Sequence, residues 1–260
     1  MAGKAGAYAI FHAKQISISS QAAQAMRQLA LDIGLPVGPT LENYLPGGNS
    51  QVVQHLKGVV QEHDQRGAPV YLWGGQGTGK SHLLKATVTA LNEQGARAGW
   101  LDASVRWPCA FNEDWDAIAL DEVERYNPAQ QAAAFNWFVN ASSPTTGAPR
   151  HILAAGSLPP ADLPLREDLR TRLGWGHVFR LEPLDEAQCR VALQRQASER
   201  GVVLTDEVIR FMLVRFARDM GSLMQLLERL DQFALQERRA VTIPLLRAML
   251  QNGPHALEHA

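Results

Sequence analysis

Apolar and polar positions along this chain follow two different periods. Between Leu41 and about Glu182, short apolar runs alternate with stretches in which apolar residues recur every three or four positions. Apolar runs of this length favour buried strands, and strands that alternate with helices are typical of a parallel sheet covered by helices. We expect strands at Val70–Trp73, Ala98–Leu101, Ala117–Leu120, Ile152–Ala155 and Val178–Leu181.

After Pro183 only helical periodicity remains. In one stretch Leu223, Leu226, Leu227 and Leu230 share a single face, as in a helix packed on a core. The pattern predicts helices at Ala187–Glu199, Asp206–Phe216, Ser222–Gln236 and Pro244–Leu250. We therefore predict an α/β core over residues 35–182, a small all-helical domain over 183–250 and a C-terminal tail over 251–260.

The first 34 residues lack this organisation and are predicted to be a flexible N-terminal tail. They are rich in Ala, Ser and Gln and show no strong core pattern. Pro36 and Pro39 make the following segment extended, because each proline fixes its own φ and disfavours a helix at the residue before it. Met26 is an alternative translation start, which N-terminal sequencing of the native protein would decide.

Composition indicates the cellular compartment of the protein and excludes some classes of partner. The chain has 260 residues, 46% of them hydrophobic, and a formal net charge of −1, which argues against a surface built mainly to neutralise DNA. We find no apolar run near the ~20 residues that span a bilayer, so we expect no membrane association. Cys109 and Cys189 lack metal or disulfide spacing and fit a reducing, cytoplasmic compartment as buried or inert thiols. The six tryptophans fall mostly in strand and helix patterns, which favours core packing over base stacking.

A glycine-rich segment between the first strand and the next helix is the strongest chemical signal. Its glycines let successive backbone N–H groups face one concavity at a helix N-terminus, where phosphate oxygens bind. Lys80 is then expected to reach the β- and γ-phosphates of ADP or ATP, and Ser81 to hold Mg²⁺. A glycine-rich turn that matches by chance is the alternative. The predicted nucleotide-binding residues are Gly74, Gly75, Gln76, Gly77, Thr78, Gly79, Lys80 and Ser81.

Two further groups complete the predicted chemistry. Asp121 and Glu122 follow a buried strand, whose end delivers both carboxylates to the phosphate crevice. Asp121 would hold Mg²⁺, and Glu122 would orient and deprotonate the attacking water. Arg170 and Arg172 lie beyond the fourth strand, where a guanidinium at a subunit edge can complete the charge stabilisation of a neighbour's γ-phosphate. A solvated basic turn is the other interpretation of the two arginines.

Taken in order, these motifs resemble the AAA+ module of the bacterial replication initiator DnaA, over about residues 41–250. The resemblance rests on Leu41-Glu42-Asn43-Tyr44 with Gly47 and Asn49, the GxxxxGKS loop, Asp121-Glu122, Gly156-Ser157-Leu158-Pro159-Pro160, Leu169–Gly176, Arg218-Asp219-Met220 and Thr242-Ile243-Pro244. It implies an α/β AAA+ P-loop NTPase core followed by a small all-helical lid. It also implies roles for Ser157 as sensor 1, for Arg172 as an arginine finger offered to a partner, and for Arg218 as sensor 2.

The chain departs from the initiator in two places. Nothing the size of a helix-turn-helix domain follows Leu250, so we expect no sequence-specific binding of duplex DNA. Only residues 102–116, with Pro108 among them, separate the second and third strands, which leaves little room for the helical insertion that the initiator uses on single-stranded DNA.

A short peptide in the tail points to a partner. Gln28–Ile33 resembles the QxxLxΦ motif, in which Φ is apolar, that docks proteins on the replicative sliding clamp, the DNA polymerase III β subunit. The predicted contacts are Gln28, Leu29, Leu31 and Ile33. The first turn of a helix packed on the core is the alternative. A clamp motif before an initiator-like module is similar to the DnaA inactivators, the Hda proteins.

This resemblance implies a regulator that acts on DnaA. It would be held at the nucleoid by the clamp, carry ADP or ATP with Mg²⁺, and present Arg172 to the ATP of the initiator. An autonomous ATPase, such as a helicase loader that uses Glu122 in every cycle, stays open as an alternative. A small-molecule kinase is a third interpretation, but the sequence shows no insertion that would bind the phosphate acceptor. The sequence leaves open whether the chain itself hydrolyses ATP and whether it forms a homo-oligomer.

Overall fold

A parallel five-stranded sheet organises the first part of the molecule. The computed structural model describes residues 38–61, 68–145, 147–216 and 219–252. The strands are β1 (Val70–Trp73), β2 (Ala98–Leu101), β3 (Ala117–Leu120), β4 (His151–Gly156) and β5 (His177–Arg180). They lie in the order β2-β3-β4-β1-β5, and every pair is parallel. The predicted strands are thus confirmed, with β4 one residue longer at each end and β5 one residue earlier.

Alternate residues of the strands pack into two separate cores. Val70 and Leu72 of β1 face one core, whereas Tyr71 faces the other, because successive side chains of a strand point to opposite faces. Helices α1 (Ser50–Gln61) and α2 (Lys80–Glu93) cover the first face. Helices α3 (Pro128–Ser142) and α4 (Glu167–Leu173) cover the second. Burial on both faces explains why the central strands are continuous apolar runs.

A region of four helices, residues 186–252, follows the sheet and has its own core. The helices are α5 (Glu186–Glu199), α6 (Asp206–Arg215), α7 (Met220–Glu237) and α8 (Ile243–Asn252). Their apolar faces form one cluster that includes Leu223, Leu227 and Leu230, as predicted. Helix α7 begins two residues earlier than predicted, because the Asp219 side chain accepts the backbone N–H of Ser222 and so caps the helix.

The connection from β2 to β3, residues 102–116, contains neither a helix nor a strand, as expected. Arg150 holds it against the sheet: Nη2 donates to the Glu113 carbonyl at 2.8 Å and Nε to the Trp115 carbonyl at 3.0 Å. No helix among the described residues is long and apolar enough to cross a membrane.

The structure also shows which cysteines and tryptophans lie at the surface. Of the two thiols expected to be buried or inert, Cys189 is buried and Cys109 is exposed. The expectation that the tryptophans pack in the core was wrong for two of them. Trp107 and Trp175 are 87% and 63% exposed, so they are not core residues. Trp107, like Cys109, lies in the irregular connection from β2 to β3, where no strand or helix face turns it inward, and Trp175 lies in the turn between α4 and β5.

Candidate functional site

The glycine-rich segment forms a tight loop between β1 and α2. Gly77 and Gly79 have φ values of 74° and 88°, in the left-handed region that glycine occupies without steric penalty. Gly79 is the residue immediately before α2, which begins at Lys80. The loop therefore ends at a helix N-terminus, where free backbone N–H groups and the helix dipole suit a phosphate.

Both glycines are also places of close approach. A Cβ on Gly79 would lie 2.5 Å from the ring of Tyr44, and a Cβ on Gly77 would collide with Asp219 at the start of α7. The loop thus has the segment before α1 on one side and the helical region on the other. A side chain at either position would push one of these elements away.

Lys80 is held over the loop that it follows. Its Nζ donates to the carbonyls of Gly74 and Gly75 at 2.8 and 2.7 Å. Burial lowers the pKa of Lys80, while the nearby carboxylates of Glu124, Asp121 and Glu122 oppose that shift. A partly desolvated ammonium group beside this loop can exchange its carbonyl partners for phosphate oxygens.

Asp121 and Ser81 meet at the carboxyl end of β3. Asp121 is 5% exposed, and burial raises its pKa although the Ser81 hydroxyl donates to its carboxylate. A hydroxyl oxygen beside a carboxylate is the kind of oxygen pair that Mg²⁺ takes from a P-loop protein. These two residues therefore fit a Mg²⁺ ion, and Asp121 would supply the negative charge.

Asn49 joins the segment before α1 to the end of the sheet. Its Nδ2 donates to the Glu182 carbonyl at 2.9 Å, and its Oδ1 accepts the Glu182 N–H at 2.8 Å. The same Nδ2 donates to the Tyr44 hydroxyl at 3.1 Å, and that hydroxyl donates to the Thr78 carbonyl at 3.1 Å. One buried side chain thus joins Glu182 to Tyr44, whose hydroxyl in turn bonds to Thr78 within the loop.

Glu122 has an unusual backbone and a partner. Its φ of 53° lies in the left-handed region, which is uncommon for a residue with a side chain. Its Oε1 accepts from Arg125 Nη1 at 2.7 Å. The carboxylate that would serve as a base is therefore engaged in an ion pair at the sheet edge.

Arg172 lies on α4, away from these contacts, among aromatic rings. Its guanidinium carbon is 4.9 Å from the centre of the Trp175 ring and 5.1 Å from that of Phe135. Within the described part of the chain, no carboxylate lies within salt-bridge distance of Arg172. A half-buried cation without an acidic partner can accept an anion from another molecule.

Comparison with known proteins shows which family model and which solved structures this chain resembles. Residues 185–250 match the family model described as Hda, lid domain. The fold is similar to domain III of the Thermotoga maritima replication initiation protein DnaA, with a TM-score of 0.69 and 20% identity over 84% of this chain and 98% of that one. The described residues therefore have the fold of DnaA domain III, and residues 185–250 match the Hda lid family.

Two other structures show how widely the AAA+ fold is shared. DnaA from Aquifex aeolicus, with AMPPCP bound, gives a TM-score of 0.57 and 20% identity over 76% of this chain and 72% of that chain. The Thermotoga maritima Holliday junction branch migration motor RuvB gives 0.57 and 17% identity over 78% and 69%. The predicted AAA+ core with a helical lid is confirmed, and helices α5 to α8 form that lid.

The AAA+ core brings most of the predicted site residues to one edge of the sheet. The loop from Gly74 to Ser81 follows β1, Asp121 and Glu122 follow β3, and Ser157 follows β4. Arg172 lies apart from this group, on α4. Arg218 and the peptide Gln28–Ile33 lie outside the described residues, so their roles stay predictions.

Sequence reasoning missed one carboxylate of the site. Glu124 has a buried Oε2 with no hydrogen-bond partner among the described residues, and this atom lies 3.0 Å from where a Cβ on Gly156 would be. Of the three carboxylates that act on Lys80, it has the largest influence on the pKa. Glu124 lies in the short turn Val123–Arg125 that follows Asp121 and Glu122, and a third acidic residue so close to this pair was the signal that could have indicated it.

Proposed function

We propose that this protein is a regulatory inactivator of the replication initiator DnaA. Docked on the DNA-loaded sliding clamp, it would insert Arg172 into the active centre of DnaA and stimulate hydrolysis of the ATP bound there. Loss of the ATP form would prevent a second initiation of chromosome replication. The Hda-type lid over residues 185–250 and the DnaA-like core support this function.

The proposal includes an adenine nucleotide and Mg²⁺ in the chain's own pocket. The loop from Gly74 to Ser81 would hold the phosphates, and Asp121 with Ser81 would hold the ion. AMPPCP bound to DnaA of similar fold supports the nucleotide. Because Tyr44 contacts this loop and Asp219 lies against it, bound nucleotide would set the angle between core and lid.

The single observation that carries the proposal is the state of Arg172. Its guanidinium stacks on aromatic rings and has no acidic partner in the described part of the chain, whereas Arg166 on the same ring is paired with Asp168 at 2.6 Å. An arginine finger supplied to another active centre accelerates phosphoryl transfer by roughly 10³–10⁵-fold. That factor corresponds to about 4–7 kcal/mol of transition-state stabilisation.

The test is ATP hydrolysis by DnaA, measured with and without this protein and the DNA-loaded clamp. The wild-type chain should stimulate hydrolysis, and Arg172→Ala should abolish the stimulation. Arg172→Lys should recover little of it, because lysine lacks the planar fork of donors. Arg170→Ala is the matched control, since Arg170 lies on the same helix without an aromatic contact among the described residues. Equal loss in the two alanine variants would reject the finger.

An autonomous ATPase is the second candidate, favoured by the position of Glu122 directly after Asp121 at the end of β3. If Glu122→Gln stops the biological effect while Arg172→Ala leaves it intact, the motor function is correct. The regulator requires the reverse result. The pairing of Glu122 with Arg125 supports the regulator, because this ion pair occupies an oxygen of the carboxylate that would activate water.

Clamp docking rests on the sequence of Gln28–Ile33 alone. The double variant Gln28→Ala, Leu31→Ala should abolish retention on the clamp without changing nucleotide affinity. A scrambled order of the same six residues is a composition-matched control and should behave like the double variant. Clamp retention that survives both changes would remove the tether from the proposal.

A further inference from the structure

We propose that Trp175, with Phe135, is a positioning residue for Arg172: the two rings hold the guanidinium in place by its faces and leave its edge free. This inference rests on the proposed function, since it names what orients the finger. The three side chains are called the aromatic clamp below. No acidic side chain from the described part of the chain takes part in it.

Local backbone geometry places Trp175 beside Arg172. Helix α4 ends at Leu173, yet the Trp175 N–H donates to the Arg172 carbonyl at 3.2 Å and continues the helical turn. Residues three apart on such a turn are neighbours on one face. Gly176 then fixes the exit, because a Cβ there would collide with Pro69. The tryptophan is thus held in register with the arginine although 63% of it is exposed.

Phe135 supplies the second ring from the adjacent helix α3. The guanidinium carbon of Arg172 lies 5.1 Å from its centre, and that of Arg166 lies 5.3 Å from the same ring. Arg166 is also bound to Asp168, so its charge is compensated. Two arginines therefore lie over one ring, and Arg172, which also contacts Trp175, has no acidic partner among the described residues.

The difference between an aromatic and an acidic partner explains the arrangement. A carboxylate would occupy the in-plane N–H donors of the guanidinium and neutralise it. An aromatic face attracts the cation perpendicular to its plane, so the donors stay available for phosphate oxygens. The clamp restricts the rotamers of a long side chain before the partner binds, and such preorganisation reduces the entropy lost on binding.

The clamp can be tested first on the protein alone. The Arg172 Nε–Hε resonance, assigned by its absence in Arg172→Lys, should be shifted upfield in the wild type by the ring current of Trp175. Trp175→Ala should remove that shift, whereas Trp107→Ala, which changes another exposed tryptophan, should preserve it. An Arg172 resonance that does not respond to Trp175→Ala overturns the clamp, whatever DnaA does.

The second test separates positioning from docking. DnaA hydrolysis is measured at increasing concentrations of each variant, which gives a plateau rate and a half-saturating concentration. Trp175→Ala should lower the plateau about two- to fivefold, the equivalent of about 0.5–1 kcal/mol for one exposed cation–π contact, at unchanged half-saturation. Trp175→Phe should restore most of the plateau, since phenylalanine keeps an aromatic face.

Each remaining outcome is decisive. A raised half-saturating concentration at an unchanged plateau would make Trp175 a contact for the partner and overturn the positioning role. A plateau equal to that of the wild type would overturn it too. If the wild-type chain fails to stimulate DnaA at all, the proposed function is wrong, and the resonance of Arg172 still decides whether the clamp exists.

Discussion

Replacement of Asn49 by alanine tests how the segment before α1 is joined to the sheet. The side chain is 3% exposed and makes three hydrogen bonds, two to the backbone of Glu182 and one to the Tyr44 hydroxyl. At about 0.5–1.5 kcal/mol for each bond, the loss would be about 1.5–4.5 kcal/mol. Since Glu182 is exposed, water can replace part of its lost bonding, and we expect about 2–3 kcal/mol.

Urea unfolding without nucleotide measures this change. With a slope of about 3 kcal/mol per molar urea, the transition midpoint of Asn49→Ala should fall by about 0.7–1 M. The matched control is Asn140→Ala, because the Asn140 side chain, among the described residues, bonds only to Asn136 one turn earlier on α3. Its stability should change by less than about 0.5 kcal/mol.

The two midpoints decide the question. If Asn49→Ala unfolds at the same urea concentration as Asn140→Ala, the link between residues 44, 78 and 182 contributes nothing to stability. The argument from buried hydrogen bonds would then be wrong. A large effect would also predict weaker nucleotide binding in the same variant, because Tyr44 contacts the phosphate loop through Thr78.

Three other changes test the nucleotide site. Gly77→Ala should destabilise the protein more than Gly95→Ala. Both glycines have a left-handed φ, which costs a side chain about 1–2 kcal/mol, but only at position 77 would the new methyl group also collide with Asp219. Equal melting temperatures of the two variants would contradict the contact between the loop and the lid. Lys80→Ala should weaken nucleotide binding about 10- to 100-fold, since hydrogen bonds to a charged group contribute about 1.5–3 kcal/mol; full affinity by calorimetry would contradict the phosphate-loop assignment. Asp121→Asn should raise the melting temperature without ligand, because burial raises the pKa of this carboxyl and so disfavours its ionised form. The same variant should lose the Mg²⁺ dependence of nucleotide binding. An unchanged Mg²⁺ dependence would contradict the role of Asp121.

The sheet and the phosphate loop were predictable because their signals are local. β1, β2 and β3 begin and end at the residues that their apolar runs indicate, since strands buried on both faces admit few polar side chains. The loop from Gly74 to Ser81 needs glycines and a lysine at fixed spacing, and its own sequence supplies both. Such elements depend on neighbours within a few residues.

Contacts between distant residues were not predictable in this way. Asn49 meets Glu182 across 133 positions, and the pattern around either residue contains no trace of the other. The sequence predicts Trp175 to be a core residue because it precedes a strand. The turn after α4 leaves it at the surface beside Arg172 instead. Tertiary geometry, rather than local preference, fixes both contacts.

The charges of the site support a regulator more than a motor. A motor needs a base in its own pocket that is free to accept a proton from water, but the Glu122 carboxylate accepts a hydrogen bond from Arg125 Nη1 at 2.7 Å. Arg172 is the opposite case, because aromatic faces hold it without neutralising it. Glu122, which hydrolysis in the chain's own pocket would need, is thus held in an ion pair, whereas Arg172, which another active centre could use, is held by aromatic rings alone among the described residues. Arg125→Ala would remove the partner of Glu122, and we expect this variant to move the protein toward the autonomous ATPase.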